Sequence, residues 1–240
     1  MAGFFRNLGR MAGPHVRKAK WLLRSLAGSQ AEVIQAEFEV GRDMANAITR
    51  SGQLDADPRW PQILGRTGGR LADRLAGRQR RFSFRVLADP QLNAFALPGG
   101  FVFLTRPLLE LCAEKDDELA FVLAHEMAHV VRGHAMDRMV SSTLLNVASR
   151  ASLAARMMNK SVLDAALKLL QNAYSREQEI EADQFAVRLM LSAGMDPLAG
   201  AAVLGKLNDF ADDPGELSSY FSTHPPLTTR IDRIRHWLDK

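Results

Sequence analysis

The sequence predicts an α+β fold that is mostly helical and contains one small β-sheet. Two patterns lead to this prediction. Most of the chain repeats its apolar residues every three or four positions, which is typical of amphipathic helices. Residues 82–105 instead alternate apolar and polar residues or form short apolar runs around a Pro-Gly-Gly turn, which is typical of strands. With 240 residues, of which 47% are hydrophobic, the chain can bury one sizeable core.

The beginning of the chain differs in composition from the rest, so we divide it into a basic segment, 1–30, and a domain, 31–240. Residues 1–31 hold six basic and no acidic side chains, although the whole chain carries a net charge of only +4. We find no secretory signal and no apolar run long enough to span a bilayer. Residues 1–28 suit peripheral contact with an anionic membrane, with a disordered leader as the alternative. A cytoplasmic or peripherally membrane-associated protein is expected.

Apolar periodicity and capping signals predict the helices. They are expected over 31–50, 60–75 with a break at Gly68-Gly69, 116–132, 177–193 and 196–210, twice within 136–173, and around Arg230 at the end. A polar loop is expected at 211–223. The arginine-rich face of the second helix is interpreted as solvated rather than as a nucleic-acid surface, because interleaved aromatic residues are missing. The one cysteine, Cys112, is expected to be a buried apolar residue.

The predicted strands lie just before the third helix. Phe82, Phe84 and Val86 alternate with polar residues, which indicates a first strand. Residues 94–97 and 101–105 are joined by Pro98-Gly99-Gly100, which indicates a hairpin. One of these strands either lines a cleft and binds an extended peptide by strand addition, or belongs to an ordinary core hairpin.

The strongest chemical signal is the sequence His125-Glu126-Met127-Ala128-His129. On a helix the two histidines project from one face and can reach one metal ion, and zinc suits two neutral imidazoles. Glu126 lies about 100° round the helix, where it can take a proton from water without binding the metal. Acidic residues before the motif and Gly133 after it fit the start and end of a helix. The motif therefore predicts a catalytic zinc site.

A catalytic zinc site needs a third protein ligand. His134 does not stand in the register of the longer pattern H-E-x-x-H-x-x-G-x-x-H. Glu179 is the better candidate, and Asp183, four residues later on the same helix face, could accept a ring N–H from a ligating histidine. Glu177 and Glu181 form an equivalent pair and stay open as alternatives on spacing alone.

Several motifs together resemble the CAAX prenyl-protease and HtpX-like group of zinc metallopeptidases, within the gluzincins. They are Asn93-Ala94-Phe95-Ala96-Leu97-Pro98-Gly99-Gly100, the H-E-x-x-H helix, Ser175-Arg176 through Asp183, and Ser222-Thr223-His224-Pro225-Pro226 with Arg230. They span roughly residues 90–235 in the order of that group. Several relatives flank this core with membrane-spanning helices, which are not evident in this sequence.

The resemblance implies a zincin-like fold, with the metal in a cleft lined by an edge strand, and an endopeptidase that acts on polypeptides. It implies one zinc ion per chain on His125, His129 and Glu179, with Glu126 as general base and Asp183 holding a ligand from outside. It also favours the cleft-lining interpretation of the hairpin, which makes the following residues candidates for substrate binding: Asn93, Ala94, Phe95, Ala96, Gly99 and Gly100. Expected substrates include misfolded or membrane-associated proteins, as in protein quality control.

Two residues near the end of the chain have open roles. His224 lies in a loop before Pro225-Pro226, and it could stabilise an oxyanion, occupy zinc as a fourth ligand, or cap the last helix. Arg230 is interpreted as a structural ion-pair partner rather than an oxyanion helper. The rival function is a chaperone or adaptor that keeps zinc for structure alone, but a purely structural site would normally use four protein ligands and needs no base beside it.

Overall fold

The computed structural model describes residues 29–50, 54–75, 80–112, 115–137, 173–210, 224 and 227–239. Their helices are α1 (Gln30–Arg50), α2 (Arg59–Ala72), α3 (Arg106–Cys112), α4 (Asp116–Val131), α5 (Arg176–Ser192), α6 (Leu198–Asp209) and α7 (Leu227–Leu238). Their strands are β1 (Ser83–Leu87), β2 (Ala94–Leu97) and β3 (Phe101–Thr105). The prediction of a mostly helical chain with a small sheet is confirmed. The predicted basic segment 1–30 (apart from its last two residues), most of 136–173 and the loop 211–223 lie outside the described residues.

The sheet has the order β1-β3-β2, with β1 parallel and β2 antiparallel to β3. The predicted hairpin is confirmed, because Leu97 pairs with Phe101 across a short turn at Pro98–Gly100. Gly99 has a φ of 76°, a left-handed conformation that glycine adopts without strain. This turn also touches α1, where a Cβ at Gly41 would collide with the carbonyl of Pro98. The hairpin is thus fixed at its closed end by a helix.

The predicted break at Gly68-Gly69 is wrong, because α2 runs without interruption from Arg59 to Ala72. Gly68 is buried, and a Cβ there would collide with the ring of Phe84 on β1. The glycine therefore permits close packing of α2 on the sheet. Its cost in helix propensity, about 1 kcal/mol against alanine, is too small to end a helix that is held by such packing.

α4 is the central helix of the domain. It packs against β2 and the sheet on one side and against α2, α5 and α6 on the others. Its residues from Glu118 to Val130 are all buried, which fits its apolar sequence around the whole circumference. Gly133, with a φ of 75°, follows its last turn, as predicted. The polar side chains within this buried stretch are Glu118, His125, Glu126 and His129, and water at the surface does not solvate them.

α5 lies beside α4 and begins with a capping box between Ser175 and Gln178. Gly194, with a φ of 66°, follows its end, as predicted. Asp196, just before Pro197 at the N-cap of α6, then accepts a hydrogen bond from the backbone N–H of Leu198, the first residue of that helix. Among the described residues, no helix combines the length and the apolar character needed to cross a bilayer.

Candidate metal centre

Side chains from α4 and α5 meet at the contact between the two helices. His125 and His129 project from one face of α4, and their Nε2 atoms lie 3.1 Å apart. Glu179 on α5 faces both rings, with its carboxylate oxygens 3.5 Å from Nε2 of His125 and 3.3 Å from Nε2 of His129. All three side chains are buried. The structure thus brings together the two histidines and the carboxylate that the sequence nominates as metal ligands.

His224 is the fourth member of this cluster. Its Nδ1 lies 2.9 Å from Glu179, and its ring is fully buried. One ligand atom from each of His125, His129, Glu179 and His224 lies within 4.8 Å of the other three. Within the described part of the chain, these are the residues whose spacing would allow them to share a metal ion.

Glu126 lies at the edge of the cluster. Its Oε1 is 3.5 Å from Nε2 of His224. Its Oε2 is buried and has no hydrogen-bond partner among the described residues. A buried carboxylate oxygen without a partner is costly, so such an atom indicates that a further group, such as water or substrate, belongs beside it.

His125 is held from outside the cluster by a buried ion pair. Its Nδ1 lies 2.9 Å from Oδ1 of Asp183, one helical turn after Glu179. Arg230 on α7 donates from Nε and Nη2 to Asp183, both at 2.8 Å, and its Nη1 lies 2.8 Å from Glu179. The guanidinium therefore clamps both carboxylates of α5, a geometry that suits arginine better than lysine.

His129 has different neighbours on its outer side. Its Nδ1 lies 2.9 Å from Nδ1 of His134, whose Nε2 is 3.3 Å from Glu181. Tyr174, just before α5, stacks on the His129 ring with 3.7 Å between centroids and 11° between planes. Sequence reasoning missed both contacts, since His134 lies beyond the end of α4 and Tyr174 stands outside any periodic pattern.

The alternative carboxylates, Glu177 and Glu181, do not reach the cluster. Glu177 is exposed in the first turn of α5. The side chain of Glu181 is 46% exposed and binds Nε of Arg132 at 3.1 Å in addition to His134. Glu179 is therefore the acidic residue of this helix that faces both histidines.

Electrostatics make the cluster attractive to positive charge. Burial lowers the pKa of His125, as does Arg230, but Glu179 and Asp183 outweigh both and raise it to about 9. Burial opposes ionisation of Glu179, yet His224, Arg230 and His125 hold its pKa well below the usual range. Burial drives the pKa of His129 well below its ordinary value and also lowers that of His134. The site thus combines an ionised carboxylate with at least one neutral imidazole.

The donor set fits a zinc ion. Because Asp183 accepts a hydrogen bond from Nδ1 of His125, the Nε2 lone pair of a neutral His125 points at the cluster. Nε2 of His129 faces the same point, so two ring nitrogens only 3.1 Å apart converge on a carboxylate. Imidazole nitrogen and carboxylate oxygen are common zinc ligands, and a cation would satisfy all three groups at once.

The predicted substrate-binding strand is an edge of the sheet. β2 pairs with β3 on one side, and its other side has no partner strand among the described residues. The same strand packs against α4, the helix that presents the histidines. Ala94 and Ala96 are buried, Phe95 stacks on Phe103 with ring centroids 5.3 Å apart, and Asn93 precedes the strand. The remaining predicted residues, Gly99 and Gly100, are buried in the turn.

Residues 61–238 match the model of peptidase family M48. The chain is 35% identical over 163 residues to the mitochondrial metalloendopeptidase OMA1 of Schizosaccharomyces pombe, which covers 66% of this chain and 47% of that protein. It is 26% identical over 239 residues to the metalloprotease YcaL of Escherichia coli, covering 97% and 88%. It is 28% identical over 221 residues to the beta-barrel assembly-enhancing protease of the same bacterium, covering 88% and 45%. The chain thus spans about half the length of two of these three relatives.

Proposed function

The chain belongs to peptidase family M48, and we propose that it is a zinc-dependent endopeptidase that hydrolyses peptide bonds of protein substrates. The sequence resemblance to the CAAX prenyl-protease and HtpX-like zinc metallopeptidases is confirmed by this membership. The observation that carries the proposal is the buried cluster of His125, His129 and Glu179. At its edge lies Oε2 of Glu126, which has no hydrogen-bond partner in the described part of the chain. We assign one zinc ion per chain to the three ligands.

Zinc, when bound, polarises a scissile carbonyl and lowers the pKa of a nearby water. The other steps belong to side chains of this chain. Glu126, buried and with one oxygen unpartnered, accepts a proton from the attacking water and returns it to the departing amine nitrogen. Asp183 holds His125 through Nδ1, the ring nitrogen away from the cluster, and Arg230 holds the carboxylates of Asp183 and Glu179.

We propose that the substrate lies in extended form along the edge of β2 that has no partner strand in the described part of the chain. Backbone groups of residues 93–96 are proposed to bind the peptide as an added strand, and Gly99 and Gly100 to shape the end of this groove. Recognition through backbone groups is tolerant of sequence, which suits a protease of many protein substrates. The packing of β2 against α4, the helix that carries His125 and His129, supports this path. The whole arrangement corresponds to a zincin-like cleft.

His224 acts at this centre in one of two opposed ways. If its imidazole binds zinc, it takes the open position and keeps the enzyme latent. If it instead donates a hydrogen bond to the oxyanion, it is part of the catalytic machinery. Its burial beside Glu126 and Glu179 supports a role at the centre over simple capping of α7.

The setting of the enzyme is proposed from the basic composition of residues 1–28 and from the name of one relative. Residues 1–28 give it peripheral contact with anionic membranes, at a cytoplasmic location or on a membrane surface, and residues 31–240 form the peptidase domain. The name of one relative, a beta-barrel assembly-enhancing protease, supports a task in protein quality control. Deletion of residues 1–28 should weaken sedimentation with vesicles of anionic lipid and leave peptidase activity intact, whereas equal vesicle binding would contradict the membrane role.

The alternative function, a zinc-stabilised chaperone or adaptor without proteolysis, has less support. It leaves the burial of Glu126 beside the cluster without a reason. The test is to quantify zinc in the purified protein and to follow casein digestion before and after chelation. One zinc per chain, with digestion lost on chelation and restored by zinc, is expected. Full zinc without digestion would favour the alternative, and absence of zinc would overturn both.

A further inference from the structure

His129 contacts a second histidine, His134, on the side away from the cluster, so the position of the proton between the two rings has to be assigned. Nε2 of His129 faces the cluster, 3.3 Å from Glu179. Its Nδ1 lies 2.9 Å from Nδ1 of His134. Two ring nitrogens at this distance form a hydrogen bond only if one carries a proton and the other does not. The choice between the two arrangements decides which nitrogen of His129 keeps its lone pair.

Two carboxylates bear on this choice: Glu179, 3.3 Å from Nε2 of His129, favours a proton there in the metal-free cluster, and Glu181 favours the arrangement that leaves this nitrogen to a metal ion. Oε2 of Glu181 lies 3.3 Å from Nε2 of His134, and a carboxylate can only accept. In the arrangement that Glu181 favours, the proton of the neutral His134 ring is on Nε2, which leaves Nδ1 as an acceptor. Nδ1 of His129 then donates to it, and Nε2 of His129 presents a lone pair to the cluster. Arg132 holds Glu181 from the other side at 3.1 Å.

We propose that His134 and Glu181 are positioning residues that hold His129 in the tautomer able to bind zinc. The inference rests on the proposed zinc site and extends it to two side chains that bind no metal themselves. Asp183 fixes the tautomer of His125 by a direct hydrogen bond, and Glu181 fixes the tautomer of His129 through the imidazole of His134. The ring of Tyr174 stacks on His129 and favours the ring plane in which Nδ1 of His129 faces His134.

Removal of Glu181 makes the opposite arrangement available. His134 can then carry its proton on Nδ1 and donate it to Nδ1 of His129. The proton of His129 moves to Nε2, the atom that faces the cluster, and this tautomer cannot bind a metal there. Loss of a hydrogen-bond partner behind a metal ligand typically costs about 10- to 100-fold in metal affinity.

The test measures the Kd for Zn²⁺ by competition with a chromophoric chelator in the full-length chain. Glu181→Ala should raise this Kd by about 10- to 100-fold. Glu181→Gln should lie between wild type and Glu181→Ala, because its amide oxygen can still accept from His134. Glu177→Ala is the matched control: it removes the same charge from the exposed side of the same helix and should leave the Kd unchanged.

A double variant separates positioning from a general charge effect. If Glu181 acts through His134, then Glu181→Ala should cause no further loss of affinity in a protein that already carries His134→Ala. Equal losses in both backgrounds would overturn the proposal, as would a Kd of Glu181→Ala that matches wild type. If His134→Ala does not fold, the order of wild type, Glu181→Gln and Glu181→Ala decides. Failure of the wild type to bind zinc would instead count against the proposed function.

Discussion

Each of the two histidines of α4 is held from outside the cluster by a series of hydrogen-bonded side chains, which we call the buried arm and the exposed arm. On the buried arm, Asp183 accepts hydrogen bonds from His125 and from Arg230, and all three side chains are buried. On the other, Glu181 reaches His129 through His134 and is held by Arg132, with Glu181 and Arg132 both more than 40% exposed. Removal of one partner from a buried ion pair leaves an uncompensated charge and is costly, whereas water screens the charges of an exposed pair. The buried arm should thus contribute more to the free energy of unfolding, and the exposed arm should mainly affect the affinity for zinc.

The largest effect should come from loss of a ligand shared by both arms. Glu179→Ala removes the carboxylate that faces both histidines, so the purified protein should contain little zinc, as should His125→Ala and His129→Ala. Glu177→Ala should keep about one zinc per chain, because Glu177 is exposed and away from the cluster. Metal content by atomic absorption checks this. Full zinc in Glu179→Ala with loss in Glu177→Ala would show that the wrong carboxylate is assigned.

An arginine-to-methionine substitution on each arm compares how much a buried and a half-exposed ion pair contribute to the free energy of unfolding. Arg230→Met leaves two buried carboxylates without their counter-charge and should lower the free energy of unfolding by about 3 to 5 kcal/mol. Arg132→Met breaks a half-exposed pair and should cost about 1 kcal/mol or less. Urea unfolding in excess chelator keeps metal affinity out of the comparison. Equal costs for the two variants would refute the assignment of stability to the buried arm.

His224 sharpens the comparison because it contacts Glu179, the carboxylate that faces both histidines. If it stabilises the oxyanion, His224→Ala should lower kcat by about 10²-fold or more with unchanged zinc. If it occupies zinc in a latent enzyme, the same variant should raise basal digestion of casein. The two roles thus predict opposite signs. A variant with the rate and zinc content of wild type would leave only the capping role.

The smallest effect concerns the stacked ring on the exposed arm. Tyr174→Phe keeps the stack on His129 and should retain the wild-type Kd for zinc. Tyr174→Leu removes it and should weaken zinc binding by no more than about tenfold, since aromatic pairs contribute about 0.5 to 1.5 kcal/mol. Chelator competition distinguishes the two. A Tyr174→Phe variant as weak as Tyr174→Leu would show that the hydroxyl matters and the stack does not.

The buried arm was largely predictable from the sequence, and the exposed arm was not. Spacing of four residues on one helix places His125 with His129 and Glu179 with Asp183, because helical geometry is the same in every protein. His134 follows Gly133, where the chain leaves the helix with a φ of 75°, so that spacing no longer gives direction. The position of His134 does not fit the pattern H-E-x-x-H-x-x-G-x-x-H, but this gives no information about its hydrogen bond to the ligand His129.

Other features depended on contacts between distant segments. Gly68 looked like a helix break, yet its lack of a side chain serves close packing against Phe84, which no local pattern reveals. The roles of His224 stayed open because a loop residue has no periodic constraint. Its burial beside Glu179 became visible only in three dimensions.

Replacement of Glu126 tests the central claim most directly. Glu126→Gln keeps the size of the side chain and removes the base, while the ligands on α4 and α5 are untouched. At equal zinc content, its kcat for casein digestion should fall by about 10²- to 10⁴-fold against wild type, because general base catalysis contributes that factor. A Glu126→Gln variant with full zinc and a rate within a few-fold of wild type would contradict the account.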